Sequence, residues 1–305
     1  MSGALAGAAS TAPIARGNYM GLFSRTKVVP VLKLSGAIGL STPLRQGLSL
    51  AATTGAIERA FTMSKVPGVA VVINSPGGSP VQSSLMFKRI RQLAEEHKKT
   101  VHVFCEDVAA SGGYYLAVAG DEIYADPSSI IGSIGVISAS FGLDKAIERI
   151  GVERRVYTSG QSKSQLDPFK PEKPEDVERL RAVQTHIHDV FIGVVKERRA
   201  GKLNGPDDTL FSGAFWSAKQ ALDLGLIDGI GDVRSKMRDV YGDKIKLRLV
   251  PMGRGGLLSL FRKPTGRLAG SAASDGDLAA MASRGLAYEL VSAIEERAIW
   301  ARYGL

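Results

Sequence analysis

The chain has 305 residues, of which 44% are hydrophobic and 23% charged, and its formal net charge at pH 7 is +9. This composition is typical of a soluble globular protein and excludes collagen-like, mucin-like and disulfide-rich chains. The basic residues are scattered apart from small clusters at 196–202 and 261–267, and the sequence carries no nucleic-acid-binding motif. We therefore expect acidic partners such as phospholipid head groups, and no nucleic acid.

Residues 1–26 are small and rich in glycine, alanine and serine, which predicts a flexible N-terminal segment. They lack a basic region followed by a sustained apolar core, so they do not form a typical secretory signal. No stretch of the sequence reaches the ~18 apolar residues that span a bilayer. We therefore expect a cytoplasmic protein without a transmembrane helix, with peripheral contact at the inner membrane as the alternative.

Strands and helices alternate in the first part of the chain. The predicted strands are 28–39, 68–74 and 100–106, and the predicted helices are 54–64 and 82–97. The run "GVAVVIN" is apolar throughout, which is typical of a strand covered on both faces. This order predicts an α/β protein whose parallel strands are joined by right-handed crossovers.

The second part continues with shorter elements. A short helix "YYLAVAG", strands "DEIYADP", "GSIGVIS" and "VERRVYTSG", and a helix "LDKAIERIG" precede a long helix at 174–199. The apolar face predicted for this long helix comprises Val177, Leu180, Val183, Ile187, Val190 and Val194. The run at 244–250 predicts an edge strand, which would complete a single domain over 27–250.

Residues 251–305 differ in composition from the chain before them, which predicts a C-terminal extension. The first half is glycine-rich and irregular, as in a linker, and 278–304 has the pattern of an amphipathic helix. This helix is expected to dock on the domain or on a neighbouring subunit. The alternative is that it lies on a membrane surface.

Cysteine and histidine offer little chemistry in this sequence. The single cysteine, Cys105, lies in the apolar run "TVHVFCEDV", which predicts a buried strand residue and not a reactive thiol. The histidines are at 97, 102, 186 and 188, and their placement predicts structural or solvated side chains. Two histidines at positions i and i+2 of a helix do not converge, so we predict no metal site and no cofactor.

Ser111 stands before two glycines in "ASGGYYLAVAG", where it could be a helix cap, a phosphate contact or a nucleophile. A serine nucleophile needs a base to take its proton and donors to stabilise the resulting oxyanion. The N–H of Gly112 is one candidate donor. Gly78 in "NSPGGS", at the end of a predicted strand, could bring a second N–H close because no side chain blocks the approach.

Lys163 is the candidate base, since none of the histidines is placed at the ends of the strands that carry these motifs. It lies in "YTSGQSKSQLDPF", a loop rich in glycine and serine. A lysine acts as a base only when burial lowers its pKa from ~10.4 to about 7–8. The residues alone leave open the alternative of an ordinary solvated lysine.

Four segments, taken together and in this order, resemble the signal peptide peptidase A family of serine proteases. They are "INSPGGS", "ASGGYYLAVAGDEIYADPSSIIGSIGV", "SGQSKSQLDPF" and "ALDLGLIDGIG", and the resemblance extends over about residues 28–250. It implies the fold of the Clp protease and crotonase superfamily, a spiral of ββα units. It also implies homo-oligomers of ring or dome shape, and peptide or unfolded-protein substrates that include signal-peptide remnants.

The resemblance assigns a role to five residues. It implies that Ser111 is the nucleophile and Lys163 the general base of a Ser/Lys dyad. Ser133, in "IGSIGV", matches a serine that holds the lysine in place. Gly78 and Gly112 match the oxyanion hole.

Two other classes of function stay open at this point. Many members of the family carry a transmembrane helix that this sequence lacks, so a soluble member would degrade cytosolic peptides or loosely folded proteins. A non-catalytic oligomeric scaffold at a membrane surface is one alternative, although intact Ser111, Lys163 and Ser133 argue against it. An acyl-CoA enzyme of the crotonase type would use the same two N–H groups on a thioester oxygen.

Overall fold

The protein is described by a computed structural model that covers residues 27–40, 47–160, 162–252 and 297–305. Its strands are β1 (Val28–Ser35), β2 (Gly68–Ser75), β3 (Thr100–Ala110), β4 (Glu122–Ala125), β5 (Ile130–Gly132), β6 (Phe215–Ser217), β7 (Gly229–Ile230) and β8 (Lys246–Leu249). Its helices are α1 (Leu50–Thr62), α2 (Pro80–His97), α3 (Gly112–Ala117), α4 (Asp144–Arg149), α5 (Pro174–Arg198), α6 (Asp207–Leu210), α7 (Ala218–Asp223) and α8 (Val233–Tyr241).

The described strands form one largely parallel sheet in the order β6-β5-β3-β2-β1-β8, and β4 and β7 continue from β3 on a second branch. The pairs of β1, β2 and β3 are parallel, while β5 and β6 are antiparallel. The prediction of a mixed α/β fold is therefore confirmed. β8 lies at an edge of the sheet, as its sequence predicts.

Successive side chains of a strand point to opposite faces of the sheet, so each strand contributes to a cluster on either face. Both faces are covered. Leu32 and Leu34 of β1 face the large core that α1, α2 and α3 complete. Val29 and Val31 face a smaller cluster that Met237 of α8 closes on the other side. The apolar run of β2 is buried on both faces for the same reason.

Cys105 lies in this core, as predicted. Its side chain is buried within β3, and burial raises the pKa of the thiol to about 12. The protonated thiol therefore acts as a small apolar side chain.

Two of the predicted strands are wrong. The run at 132–138 leaves the sheet at its first residue, because β5 ends at Gly132 and the N–H of Ser133 turns to the carbonyl of Ala214. The run at 152–160 forms no strand, and its side chains are exposed or half-exposed. No described strand pairs with this run.

The long helix α5 forms where the sequence predicts it, but its buried face is shifted. Val183 and Val190 are about half exposed, whereas Phe191 and Val195 are buried against the core. The shift arises because only the last turns of α5 lie on the domain.

Several predictions concern residues outside the described ranges. They are the flexible segment at 1–26, the linker after 252 and most of the amphipathic helix at 278–304. At the end of that helix, residues 297–301 are helical. The boundary of the domain at 250 stays a prediction. Among the helices that the structure describes, none combines the length and the apolar character needed to cross a membrane.

Candidate active site

Ser111 lies at the junction between β3 and α3 with a strained backbone. Its φ of 52° and ψ of −122° place a non-glycine residue in a conformation that costs about 1–3 kcal/mol. The N–H of Ser111 donates to the carbonyl oxygen of Gly132 at 2.7 Å, which fixes the turn against β5. The side chain makes no capping hydrogen bond, so the helix-cap interpretation is wrong and the hydroxyl is available for chemistry.

The glycines beside Ser111 let two turns pack backbone against backbone. A β-carbon on Gly77 would lie 2.8 Å from the amide nitrogen of Gly112 and 2.8 Å from Cβ of Ser111. A β-carbon on Gly113 would lie 2.3 Å from the carbonyl oxygen of Ser75. The turn after β2 and the turn after β3 therefore form one compact unit at the carboxyl ends of two parallel strands.

Gly78 and Gly112 present their N–H groups in this unit. In the described part of the chain neither N–H donates a hydrogen bond to the backbone. Gly78 has a φ of 140°, a region that favours glycine, and the N–H of its neighbour Ser79 donates to the carbonyl oxygen of Ile38. Both glycines line the same cavity as Ser111, so two unused donors lie beside a free hydroxyl.

The cavity at Ser111 is small and mostly apolar. Its volume is about 60 Å³, and its apolar wall comprises Pro80, Tyr115, Val136, Ile187, Val190 and Phe191. The rings of Tyr115 and Phe191 pack at 5.0 Å, and His188 lies 3.0 Å from the carbonyl oxygen of Ile134. These contacts hold α5 over Ser111. The sequence indicates an apolar face on α5 but not its position beside the serine.

Ser133 lies close to this unit through the backbone. It directly follows Gly132, whose carbonyl accepts the N–H of Ser111. Ser133 is 7% exposed and has a φ of 51°, so its side chain is held in a buried, strained position. The described partner of its Oγ is the hydroxyl of Tyr303 at 3.3 Å, a contact that no pattern in the sequence predicts.

Lys163 lies elsewhere. Its side chain is exposed, and its N–H donates to the carbonyl of Gly160 in a turn. It does not line the cavity at Ser111, and no hydrogen bond joins its amine to Ser111 or Ser133 within the described ranges. One chain by itself therefore brings together Ser111, Ser133, Gly78 and Gly112, and leaves the lysine outside.

Neither His102 nor Lys99, the two buried candidate bases, takes the place of Lys163. His102 is enclosed between Glu122 and Tyr241, at 3.0 and 2.9 Å, and serves as a structural residue. Lys99 is buried and desolvation lowers its pKa, but its amine donates to the carbonyl of Ser64. It precedes β3, whereas Ser111 follows it, which separates them by about 35 Å along the strand.

Comparison with known proteins supports a peptidase. Residues 93–242, which include Ser111, Ser133 and Lys163, match the model of peptidase family S49. The chain is 31% identical over 230 residues to a putative protease of Synechocystis sp., covering 73% of this chain and 79% of that protein. It is 33% identical over 220 residues to the chloroplastic serine protease SPPA of Arabidopsis thaliana, covering 70% and 32%.

A protein of Brucella abortus named Na(+)/H(+) antiporter NhaA is 57% identical over 278 residues. The match covers 91% of this chain but only 37% of that protein, so the chain spans just over a third of its length. The antiporter name belongs to the longer protein, whereas the region shared with this chain contains the S49 match. The chain therefore belongs to peptidase family S49, the signal peptide peptidase A family of serine proteases.

Proposed function

We propose that the protein is a serine endopeptidase in which Ser111 is the nucleophile. The proposal depends most on one observation: within the described ranges the Ser111 side chain caps no helix and the N–H groups of Gly78 and Gly112 donate no backbone hydrogen bond, and all three residues line one apolar cavity. These two donors would stabilise the oxyanion that forms when the hydroxyl attacks a peptide carbonyl. In a water-poor cavity such hydrogen bonds act more strongly than in water.

Lys163 completes the proposed reaction as the general base. Its neutral amine takes the proton of Ser111 Oγ as the bond from Oγ to the carbonyl carbon forms. The resulting ammonium gives that proton to the leaving amine as the peptide bond breaks, which leaves an acyl-enzyme. Water then attacks the ester, the amine takes its proton, and the proton returns to Ser111 as the product acid leaves.

We propose that the amine comes from another copy of the chain, because Lys163 is exposed in the single chain and belongs to a segment with an exposed apolar surface. We name residues 137–173 the docking segment; its described residues from 137 to 160 are exposed or half-exposed. The exposed apolar side chains of this segment are Ile137, Phe141, Leu143, Ile150, Val152 and Tyr157. Such a group of apolar side chains is typical of an interface. We propose a homo-oligomer in which this segment packs on a neighbour and delivers Lys163 to its Ser111.

Ser133 is proposed as the residue that orients the amine. It is buried, it adjoins the carbonyl that fixes Ser111, and its hydroxyl can both donate and accept a hydrogen bond. A short polar side chain in this position would hold the amine toward Ser111. This role belongs to the assembled enzyme, since Lys163 is exposed in the single chain.

Substrates are proposed to be unfolded peptides, including signal-peptide remnants, with a small apolar side chain before the cleaved bond. The cavity of about 60 Å³ beside Ser111 has apolar walls and is too small for an aromatic ring. We further propose that the parallel sheet belongs to the Clp protease and crotonase type of spiral. The successive parallel pairs of β1, β2 and β3 support that assignment.

Peptide cleavage tests the proposal. The wild type, Ser111→Ala and Lys163→Ala are assayed on unfolded peptides that carry alanine or tryptophan before the cleaved bond. Ser128→Ala and Lys244→Ala, at exposed positions outside the site and outside the docking segment, serve as matched controls. We expect cleavage at alanine by the wild type and the controls, and a loss of at least a thousandfold in both site variants. Near-normal cleavage by Lys163→Ala would refute the dyad, and turnover of acyl-CoA that survives Ser111→Ala would favour the crotonase alternative.

A further inference from the structure

The last described residues, 297–305, reach the site through one tyrosine. The hydroxyl of Tyr303 lies 3.3 Å from Ser133 Oγ and 3.5 Å from the carbonyl oxygen of Pro76. Pro76 belongs to the turn that carries Gly78. A single phenol therefore touches both the buried serine and the turn of the proposed oxyanion hole.

The ring of Tyr303 is anchored by burial. The residue is 7% exposed and packs with Val108 and Ala110 of β3. The ring of Phe215 meets it edge-on, with centroids 5.4 Å apart and an angle of 69° between planes. Trp300 packs against the same cluster from the preceding turn. Tyr303 is therefore packed among buried and aromatic side chains, whereas an exposed side chain would make no such contacts.

The contact with Tyr303 occupies Ser133 Oγ, the hydroxyl that the proposed mechanism pairs with the amine of Lys163. A serine hydroxyl donates one hydrogen bond and accepts two, and at a buried site few groups can reach it. In the structure its described partner is the Tyr303 hydroxyl, and Lys163 is exposed. A phenol bound to Ser133 Oγ thus competes with an amine for access to the same atom.

We propose that residues 297–305, here named the latch, hold the enzyme in a resting form in which Tyr303 takes the place of Lys163 on Ser133. Release of the latch frees Ser133 Oγ, opens the approach to the turn at Pro76 and lets the amine bind. The latch rests on the proposed function, because it regulates the dyad. It adds a residue and a step that the dyad itself does not require.

Removing the hydroxyl of Tyr303 while keeping its ring tests the latch. Loss of one hydrogen bond from the resting form should shift the balance toward the open form by roughly fivefold. We therefore expect kcat/KM for peptide cleavage to rise about fivefold in Tyr303→Phe and further in Tyr303→Ala, which also loses the ring contacts. Arg297→Ala, an exposed position of the latch outside this contact, is the control and should match the wild type.

Two further measurements separate the latch from the dyad. Hydrogen exchange should be faster at the amides of residues 297–305 in both Tyr303 variants than in the wild type. A synthetic peptide of residues 297–305 should slow Tyr303→Ala, and the same peptide with phenylalanine at 303 should slow it less.

Unchanged or reduced kcat/KM in Tyr303→Phe, with an active wild type that Ser111→Ala abolishes, would overturn the latch and leave the proposed function standing. Absence of cleavage in the wild type and in every Tyr303 variant would overturn both.

Discussion

Gly77 and Gly112 meet so closely that a β-carbon on Gly77 would lie 2.8 Å from the amide nitrogen of Gly112. The contact joins the turn after β2 to the turn that carries Ser111. Two motifs that are 35 positions apart in the sequence thus form one structural unit, since parallel strands end at the same edge of the sheet.

This contact predicts that Gly77→Ala loses activity beyond its loss of stability. Alanine would push the amide of Gly112 away from its place in the cavity, and loss of one oxyanion donor costs about a hundredfold in rate. Gly242→Ala is the matched control, because Gly242 has a similar φ, 97° against 101°, with no atom near its missing β-carbon. Both variants should unfold at lower denaturant concentration, and only Gly77→Ala should lose peptide cleavage. Equal cleavage by the two variants would argue against the glycine unit as part of the active site.

Subunit mixing tests whether Lys163 acts on a neighbour. Ser111→Ala and Lys163→Ala are each expected to be inactive, but their coexpression gives sites that combine an intact serine from one chain with an intact lysine from another. Random assembly of equal amounts should restore about a quarter of the wild-type activity. A mixture as inactive as its parents, in oligomers shown to contain both chains, would place the dyad within one chain.

Asp228 predicts a dependence of stability on pH. Although its burial alone would raise the pKa of the carboxyl, hydrogen bonds from Arg199 and Lys202 lower that pKa below its usual value. Arg199 is 2% exposed, so Asp228→Asn leaves a buried charge without its partner. We expect Asp228→Asn to reduce the free energy of unfolding by roughly 3 kcal/mol at pH 7.

The sign follows from the lowered pKa of Asp228. The carboxylate contributes stability above the pKa of the unfolded chain and loses it as the pH falls through the lower value of the folded protein. Urea unfolding at pH 7 and pH 3 should therefore show a smaller difference between wild type and variant at pH 3. Asp243→Asn, at an exposed position, is the control. A difference that grows on acidification would contradict this assignment.

Gly193 predicts a stabilising substitution. It lies inside α5, and a β-carbon there would meet no atom within 4 Å. Gly193→Ala should raise the free energy of unfolding by about 0.5–1 kcal/mol, because alanine loses less conformational freedom in a helix. Chemical denaturation measures the effect, and a loss of stability would show that this face of α5 is already covered in the assembly.

Local patterns in the sequence predict most of the central sheet. Periodicity in the sequence reports directly which side chains of an element are buried. It therefore predicts the apolar runs of β2 and β3 and the amphipathic stripe of α2. The strand predictions at 132–138 and 152–160 were wrong, because a strand also needs a neighbouring strand whose backbone N–H and C=O groups are free to pair. The N–H of Ser133 donates to the carbonyl of Ala214, and the second run lies in the docking segment, in whose described residues no strand forms.

Some residues of the candidate site could likewise be predicted from the sequence, and others could not. Ser111, Gly78 and Gly112 could be found from the sequence, because turns at the ends of neighbouring parallel strands must meet. Tyr303 could not, since its contact with Ser133 joins residues 170 positions apart and depends on how the end of the chain packs. The position of Lys163 beside a serine depends on an assembly, and no periodicity within one chain reports it.

Labelling with a serine-reactive acylating probe, followed by mapping of the modified residue, tests the central claim most directly. We predict that the assembled protein is labelled at Ser111, that Ser111→Ala is not labelled, and that Lys163→Ala is labelled far more slowly. Active protein labelled at another serine, or at Ser111 with a rate that Lys163→Ala leaves unchanged, would contradict it.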